Sequence, residues 1–220
     1  MTINFDDYVD TYEDSVSKLT SFFSKKRDYF DAYKVELAKK YIQKPKSVLD
    51  FGCGIGLCLN HLIINFKDSK IYATDDSTKS VEFAKNKFEN VHFIDFKNIE
   101  EYSFDLIFIA GVFHHVTSNR RPELLKTLNK MLNQNGKIFI TEHNPYNPIT
   151  KKIVSQCPYD ADAELIKMKK MKKILINADF KKIDSGYYLF FPYFFKFMRP
   201  TEKFMKWLPL GGQYFVVANK

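Results

Sequence analysis

The stretch VLDFGCGIG, residues 48–56, decides the fold of this chain. An apolar run ends at Asp50, and three glycines then alternate with other residues. This pattern predicts a buried strand that turns tightly into a helix, because glycine allows positive φ and lets a ligand approach the backbone. The spacing D-x-G-x-G-x-G differs from the G-x-G-x-x-G of dinucleotide sites. Since the Asp50 carboxylate would repel a pyrophosphate, the loop favours a cationic ligand.

Strand and helix patterns alternate on both sides of this loop. Near-continuous apolar strands separated by helices are typical of a parallel sheet that is covered on both faces. The sequence therefore predicts one doubly wound α/β domain over residues 1–220. Strands are predicted over 46–51, 70–75, 91–95, 104–112, 137–143, 181–190 and 212–219, and helices over 24–43, 56–66, 77–88, 122–136 and 162–178. Ser77 is the predicted N-cap of the third helix, and Asn135-Gly136 the predicted stop of the fourth.

Composition limits the class of protein. A chain of 220 residues with 45% hydrophobic residues suits a single globular domain, and a net charge of +8 favours anionic partners or simple solvation. Cys53, Cys58 and Cys157 form no C-x-x-C pair, which argues against a zinc site or a disulfide framework and for a reducing cytoplasm. The acidic start lacks a secretory apolar region, and no run reaches the roughly 18 apolar residues of a membrane span.

Acidic residues stand at the ends of three successive predicted strands. Asp50 ends the first strand, Asp75 the second and Asp95 the third. The distance from Gly54 to Asp75 matches the roughly 20 residues that separate a glycine loop from the acid that binds a ribose diol. Asp95 could bind an adenine amino group. Together the three acids predict a site for a nucleoside with a positive charge.

On these residues the chain resembles the class I S-adenosylmethionine-dependent methyltransferases. VLDFGCGIG is similar to their first motif, IYATDDS to their second-strand acid, VHFID to their adenine strand, FDLIFIAGVFHHV to their fourth strand and NGKIFITEHN to their fifth. The resemblance implies a seven-stranded sheet with an antiparallel C-terminal pair, and S-adenosylmethionine as cofactor with S-adenosylhomocysteine as product. The residues that it assigns to the cofactor are Asp50, Gly52, Cys53, Gly54, Gly56, Asp75, Asp76, Asp95, Phe96, Ala110, Gly111 and a tyrosine, Tyr8 or Tyr12.

The resemblance also divides the chain by task. Residues 1–44 would form a helical cofactor lid, residues 46–143 the cofactor-binding core, and residues 144–220 the cap on the acceptor side with the last strands. Residues 142–166 and the aromatic tail, residues 190–214, together resemble a bacterial subgroup associated with small-molecule and glycan modification. We expect this tail to cover the core, with dimerisation or contact with a lipid-linked sugar as alternatives.

Histidines follow the fourth and fifth strands, where the family places residues of the acceptor side. Methyl transfer from a sulfonium needs alignment of the acceptor, and a base when the acceptor carries a proton. His114, His115 and His143 are candidates for that base, and Glu142 could orient a neighbour or bind an amine. No metal site is expected, because the sequence offers no clear ligand set.

The expected function is methyl transfer to oxygen or nitrogen of a small molecule or glycan by a cytoplasmic monomer or homodimer. The absence of an N-P-P-[YF] tetrad after the fourth strand argues against methylation of an exocyclic base amine. An RNA methyltransferase remains the first alternative, because the net charge is positive and lysines crowd the helix predicted over 162–178. A non-catalytic partner subunit with the same fold is the second alternative.

Overall fold

The computed structural model describes Asp6 and residues 28–220. Seven strands form one sheet in the order β3-β2-β1-β4-β5-β7-β6. The strands β1 to β5 run parallel, and β7 runs antiparallel to both β5 and β6. The strands are β1 (Ser47–Phe51), β2 (Lys70–Thr74), β3 (His92–Phe93), β4 (Phe104–Ala110), β5 (Leu132–His143), β6 (Lys181–Tyr188) and β7 (Gln213–Asn219). The predicted doubly wound sheet with its antiparallel C-terminal pair is confirmed.

Helices cover both faces of this sheet, and each face has its own apolar cluster. Leu49 and Ile107 lie in one cluster, whereas their neighbours Val48 and Leu106 lie in the other, as the alternation of side chains along a strand requires. The α-helices are α1 (Asp28–Lys39), α2 (Leu59–Asn65), α3 (Thr78–Lys87), α4 (Arg121–Lys130), α5 (Pro148–Gln156) and α6 (Met168–Asn177), and the longer 3₁₀ segments are Phe96–Glu101, Pro158–Asp160 and Tyr193–Phe204.

Helix α4 ends earlier than its sequence predicts. Its last residue is Lys130, and residues 132–136 begin strand β5 instead of finishing the helix, so Asn135-Gly136 is not a helix stop. Leu132 pairs with Phe104 across a register shift in the sheet, and its side chain is buried there. Leu125, Leu128 and Leu132 have the spacing of one helix face, but Leu132 belongs to the strand, so this spacing serves two elements in succession. Residues 162–167 likewise precede α6 rather than belonging to it.

The aromatic tail covers the core only in part. Tyr214 and Phe215 on β7 are fully buried, whereas Phe197, Phe204 and Trp207 have 70–76% of their surface exposed. The expectation that the tail serves as core cover is thus wrong for the segment before β7. Among the residues that the structure describes, no helix has the length and apolar character that a membrane span requires.

The sheet topology fixes where a ligand can lie. β1 and β4 are neighbours at its centre, and the chain leaves β1 towards β2 on one side and β4 towards β5 on the other. The loops after β1 and β4 therefore diverge and leave a crevice at the carboxyl ends of these strands, which is where open α/β sheets bind ligands.

Candidate active site

The loop after β1 has the backbone that its glycines predict. Gly52, Gly54 and Gly56 have φ values of 73°, 51° and 85°. A Cβ at Gly52 would lie 2.4 Å from a methyl group of Val112, and one at Gly56 would lie 2.6 Å from the ring of Phe88. A Cβ at Gly54 would have no atom of Asp6 or of residues 28–220 within 4 Å. Gly52 and Gly56 thus allow close packing of the protein itself. Gly54 instead leaves backbone surface open towards the crevice.

Asp50 and Asp75 lie on either side of this loop. The Asp75 carboxylate accepts hydrogen bonds from the backbone N–H of Gly54, at 2.7 Å, and of Ser77, at 2.9 Å. Asp50 is 2% exposed, and within the described part of the chain its Oδ2 accepts no hydrogen bond. A buried carboxylate oxygen without a donor is unfavourable unless a ligand supplies one. The ammonium group of S-adenosylmethionine would be a suitable donor, so the loop fits the expected cofactor.

Burial changes the acidity of both carboxyl groups. It raises the pKa of Asp50 to about 8, and the neighbouring charge of Asp75 adds to the effect while Lys34 opposes it. Burial also raises the pKa of Asp75, to about 6, against the hydrogen bonds from Ser77 and Gly54 that stabilise its ionised form. A cationic ligand would stabilise the ionised form of both.

The remaining residues assigned to the cofactor are less enclosed. Asp76 and Asp95 are exposed, and Asp95 caps the 3₁₀ segment Phe96–Glu101 by accepting a hydrogen bond from the N–H of Lys97 at 2.9 Å. Phe96 is 41% exposed and its ring lies 5.7 Å from that of Phe51. Tyr8 and Tyr12 lie outside the described residues, as does most of the predicted lid 1–44.

The candidate catalytic residues meet at the carboxyl ends of β4 and β5. The ring centroid of His114 lies 4.1 Å from that of His115 and 5.0 Å from that of His143. His114 Nδ1 donates to Glu142 Oε2 at 2.6 Å. The other oxygen of Glu142 accepts the backbone N–H of Phe113 at 2.7 Å. Glu142 therefore links the His114 ring to the backbone of the turn after β4.

Asp160 is a functional candidate that the sequence analysis missed. It ends the 3₁₀ segment Pro158–Asp160, and its Oδ1 lies 3.3 Å from His114 Nε2 and 3.4 Å from His115 Nε2. Asp162 Oδ1 lies 3.6 Å from His115 Nδ1. The turn-rich segment after β5 had been assigned to the acceptor side, and its acids in YDAD were the signal that could have marked these residues.

Arg121 ties this segment to the histidine turn. Its guanidinium donates to the carbonyl oxygens of Phe113, Val116 and Glu164, at 2.7–3.0 Å. The N–H of Glu164 also donates to the carbonyl oxygen of His114 at 2.8 Å. Arg121 is 2% exposed, so these contacts are shielded from water. The His114–His115 turn and the Asp160 segment therefore form one connected unit.

The charges in this unit give the three histidines different pKa values. Burial disfavours the cationic form of His114, but Glu142 and Asp160 outweigh burial and raise its pKa to about 10. Burial lowers the pKa of His143 to about 4, and it lowers that of His115 as well, in both cases with the His114 charge adding to the effect. The same cluster lowers the pKa of Asp160 to about 2, since its histidine partners outweigh its burial.

A cavity of about 230 Å³ opens in front of these residues. Its walls combine the histidine cluster and the strand-end residues with apolar side chains of the surrounding loops. They include Phe30, Leu57, Ala110, Gly111, His114, His115, Glu142, His143, Ile149, Ile153, Tyr159, Asp160 and Phe190. Ala110 and Gly111, at the end of β4, line this cavity together with Leu57, which follows the glycine loop in sequence. The arrangement can hold a small acceptor beside a ligand of the glycine loop.

Helix α1 adds a charged pair to the same cavity. Lys34 Nζ lies 3.0 Å from Asp31 Oδ1, and both residues line the cavity wall. Asp31 outweighs burial and keeps the pKa of Lys34 above its ordinary value. Neither residue belongs to a recognisable motif, so the sequence did not predict this pair.

Comparisons with known proteins relate part of this chain to methyltransferases. The model of a methyltransferase domain family matches residues 49–138. An uncharacterised methyltransferase of Anoxybacillus flavithermus is 29% identical over 63% of this chain and 65% of its own length. Malonyl-[acyl-carrier protein] O-methyltransferase 1 of Ilyobacter polytropus is 32% identical over 49% of this chain and 41% of its own length.

The solved structures show the same fold. A crystal structure of an S-adenosylmethionine-dependent methyltransferase from Archaeoglobus fulgidus superposes with a TM-score of 0.70, covering 89% of this chain and 96% of that one at 16% identity. The chain spans less than two thirds of the length of the curated relatives that it matches. Motifs, topology and family model agree: residues 49–138 match a methyltransferase domain, and the chain has the fold of the S-adenosylmethionine-dependent methyltransferases.

Proposed function

We propose that the protein transfers a methyl group from S-adenosylmethionine to an oxygen or nitrogen atom of a small molecule or glycan. The observation that carries this proposal is the cavity in front of His114, His115 and His143, because its wall includes Leu57, which directly follows the glycine loop in sequence. Its small size and its mixture of apolar and charged walls suit a compact polar acceptor. The Ilyobacter relative is named an O-methyltransferase, which supports transfer to oxygen.

The proposal assigns the cofactor to the carboxyl ends of β1 to β4. When bound, S-adenosylmethionine supplies a methyl group on a sulfonium centre. Asp50 would bind the ammonium group, Asp75 with Asp76 the ribose hydroxyls, and Asp95 with Phe96 the adenine. The rest of the cofactor would contact the loop residues Gly52, Cys53, Gly54 and Gly56 and the strand-end residues Ala110 and Gly111. Tyr12, in the predicted lid, would cover the cofactor. The division into a lid, a core over residues 46–143 and an acceptor side over residues 144–220 is part of this proposal.

On the acceptor side we assign proton removal to His143. His114 is held between the carboxylates of Glu142 and Asp160, so both of its ring nitrogens are engaged. His115 faces Asp160 and Asp162. His143 ends β5 with its ring lining the cavity, where a hydroxyl or amine of the acceptor would lie. In-line displacement requires only that the acceptor atom face the methyl group, and the walls of the cavity would provide that alignment.

RNA as acceptor is the weaker alternative. The predicted lysine patch lies on and just before α6, where Met171 and Leu175 pack into the core and most of the lysines point to solvent. None of these lysines lines the cavity. A helix with an apolar inner face and a basic outer face is adequately explained as a solvated surface helix. An RNA substrate would instead give binding that weakens steeply with salt.

The exposed aromatic residues before β7 suggest a lipid partner. Phe197, Phe204 and Trp207, here called the aromatic surface, alternate with exposed lysines such as Lys196 and Lys203. Aromatic side chains beside basic ones are typical of segments that rest in the interface of an anionic membrane. We therefore propose peripheral contact with anionic lipid, which would bring the protein to a lipid-linked acceptor.

Vesicles test the lipid proposal directly. We expect the protein to sediment with vesicles that contain phosphatidylserine, and Phe197→Ser with Trp207→Ser to reduce the bound fraction severalfold. The matched control is Phe83→Ser on α3, which removes an exposed phenylalanine elsewhere. Equal sedimentation of the double variant and the wild type would contradict the proposal, as would no sedimentation at all.

The transfer reaction is tested with methyl-labelled S-adenosylmethionine. The purified protein is incubated with a cell extract, and the label is counted in small-molecule, lipid, RNA and protein fractions. We expect label in the small-molecule or lipid fraction, and at least a tenfold lower rate for His143→Gln. Label confined to RNA would favour the RNA alternative. Cofactor binding without label in any fraction would favour the non-catalytic partner subunit.

A further inference from the structure

We propose that His114, His115 and Asp160 bind a divalent transition-metal ion at the wall of the acceptor cavity. Each of the three offers one ligand atom, and these atoms lie within 4.8 Å of one another. The two imidazoles come from the turn after β4, whereas the carboxylate comes from the 3₁₀ segment after α5. Because Asp160 is distant in sequence from the two histidines, the three ligands form no recognisable metal-binding motif.

The spacing of the donor atoms matches the size of such an ion. Zinc binds imidazole nitrogen and carboxylate oxygen at about 2.0–2.1 Å, so the edge of its tetrahedron is about 3.3 Å. Asp160 Oδ1 lies 3.3 Å from His114 Nε2 and 3.4 Å from His115 Nε2. Two of the three edges therefore already have the required length. Two nitrogens and one oxygen suit Zn²⁺ and the neighbouring first-row ions better than Mg²⁺ or Ca²⁺.

The surroundings of the three residues are those of a supported metal site. Glu142 accepts the Nδ1–H of His114, which directs Nε2 towards Asp160. A carboxylate behind a metal-binding histidine is the usual arrangement, because it fixes the tautomer and orients the ring. Glu142 is itself held by the N–H of Phe113, and Arg121 joins the two segments that carry the ligands. The ligands would thus be held in place before an ion binds.

One side of the cluster faces the cavity, since all three ligands line it. Three protein ligands and an open position are typical of metal sites that bind a substrate. Given the proposed methyl transfer, the ion would bind the acceptor oxygen and lower its pKa, so that His143 removes the proton more readily. Metal binding itself does not depend on that function and can be measured without cofactor or acceptor.

The test is titration of the chelator-treated protein with Co²⁺, followed by absorption, and with Zn²⁺, followed by calorimetry. We expect one ion per chain with a dissociation constant in the micromolar range or below. Asp160→Asn and His115→Gln should each weaken binding by at least tenfold, and Glu142→Gln by about tenfold. The matched controls are Asp68→Asn and His92→Gln, which change exposed residues of the same types and should leave the affinity within twofold.

Two results would overturn the proposal. One is the absence of saturable binding of either ion, and the other is binding that both Asp160→Asn and His115→Gln leave unchanged. If a variant does not fold, the site can be tested by NMR spectroscopy of the histidine ring protons in the wild-type protein. Bound Co²⁺ should shift the ring protons of His114 and His115 and leave those of His61 and His92 in place, whereas shifts in His61 and His92 alone would refute the site. Loss of methyl transfer with intact metal binding would refute the function and not the site.

Discussion

The two halves of the crevice are built in different ways. On the cofactor side, the glycine loop and its acids come from residues 50–96, and the contacts between them are mostly hydrogen bonds to backbone N–H groups. On the acceptor side, side chains from the turn after β4, the end of β5 and the segment before α6 form a buried network of charges. The first half depends on local backbone conformation, and the second depends on pairing between distant segments.

The largest expected effect lies on the acceptor side, in Glu142→Ala. This change would leave the Phe113 N–H and the Nδ1–H of His114 buried without their acceptor. Because the removal of one partner from a buried ion pair is strongly unfavourable, we expect the free energy of unfolding to fall by about 3–5 kcal/mol. Urea denaturation measures the change.

The matched control for Glu142→Ala is Glu89→Ala, which removes an exposed carboxylate before β3 and should change the stability by less than about 0.5 kcal/mol. If Glu142→Ala proved equally mild, the acceptor side would not depend on its charge network, and the contrast between the two halves would fail.

On the cofactor side, where local backbone conformation matters most, we expect Gly52→Ala and Gly54→Ala to differ in their effect on stability. Both residues have positive φ, but a Cβ at Gly52 meets Val112 at 2.4 Å whereas one at Gly54 has no atom of the described residues within 4 Å. We expect Gly52→Ala to lower the free energy of unfolding by about 2–4 kcal/mol, and Gly54→Ala to lower it by about 1 kcal/mol.

Cofactor affinity separates these two glycines further. The Cβ of Gly54→Ala would point into the crevice, so we expect this variant to bind S-adenosylhomocysteine at least tenfold more weakly despite its near-normal stability. Calorimetry measures the affinity, and Gly52→Ala needs to be tested only if it folds. Unchanged binding by Gly54→Ala would show that the cofactor does not approach this part of the loop.

The contrast explains what could be predicted from the sequence. The succession of strands and helices along the chain, the glycine turn, the N-cap at Ser77 and the acids at the strand ends follow from short patterns, because local conformation and alternation leave a signature within a few residues. The end of α4 was mispredicted, since Leu132 fits the helical period but is buried equally well by pairing with Phe104 in the sheet. Tertiary pairing there overrides the local pattern.

The acceptor site was less accessible from the sequence. His114, His115 and His143 were found because they follow predicted strands, and the end of a parallel strand is a known position in space. The acids of YDAD are visible in the sequence, but their segment has no periodicity, so the sequence could not predict that Asp160 faces these histidines. The buried Arg121 was hidden for the same reason, because a charged residue at a helix start looks like an ordinary surface residue until its carbonyl partners are known.

On the cofactor side, we expect the affinity for the cofactor to depend on pH through the Asp50 carboxyl group. Burial raises the pKa of Asp50 to about 8, so the carboxyl is mostly protonated at pH 6, with Asp75, Asp31 and Lys34 as its charged neighbours. A cationic ligand favours the ionised form, and its binding therefore releases a proton. We expect the affinity for S-adenosylhomocysteine to rise by up to tenfold per pH unit between pH 6 and 7.5.

Asp50→Asn is the control for this pH dependence. It removes the titrating group and should bind weakly at every pH in the range, with a smaller slope that reflects only Asp75, whose pKa is raised to about 6. A wild-type affinity that does not change with pH would mean that Asp50 does not face the cationic part of the cofactor.

The smallest expected effect concerns the cap of α3, which lies beside the ribose acid. Ser77 Oγ accepts the N–H of Ser80 at 3.1 Å and donates to Asp6 Oδ1 at 2.6 Å. Ser77→Ala removes these bonds and the contact with the Ser80 hydroxyl, and we expect the free energy of unfolding to fall by about 1 kcal/mol, as for other N-cap serines. Ser155→Ala, at an exposed serine near the end of α5, is the control and should have little effect. Because the cap also positions the N–H that Asp75 accepts, the cofactor affinity should fall by no more than severalfold. A loss as large as that of Glu142→Ala would mean that the cofactor side, too, depends on a network that extends beyond its local motif.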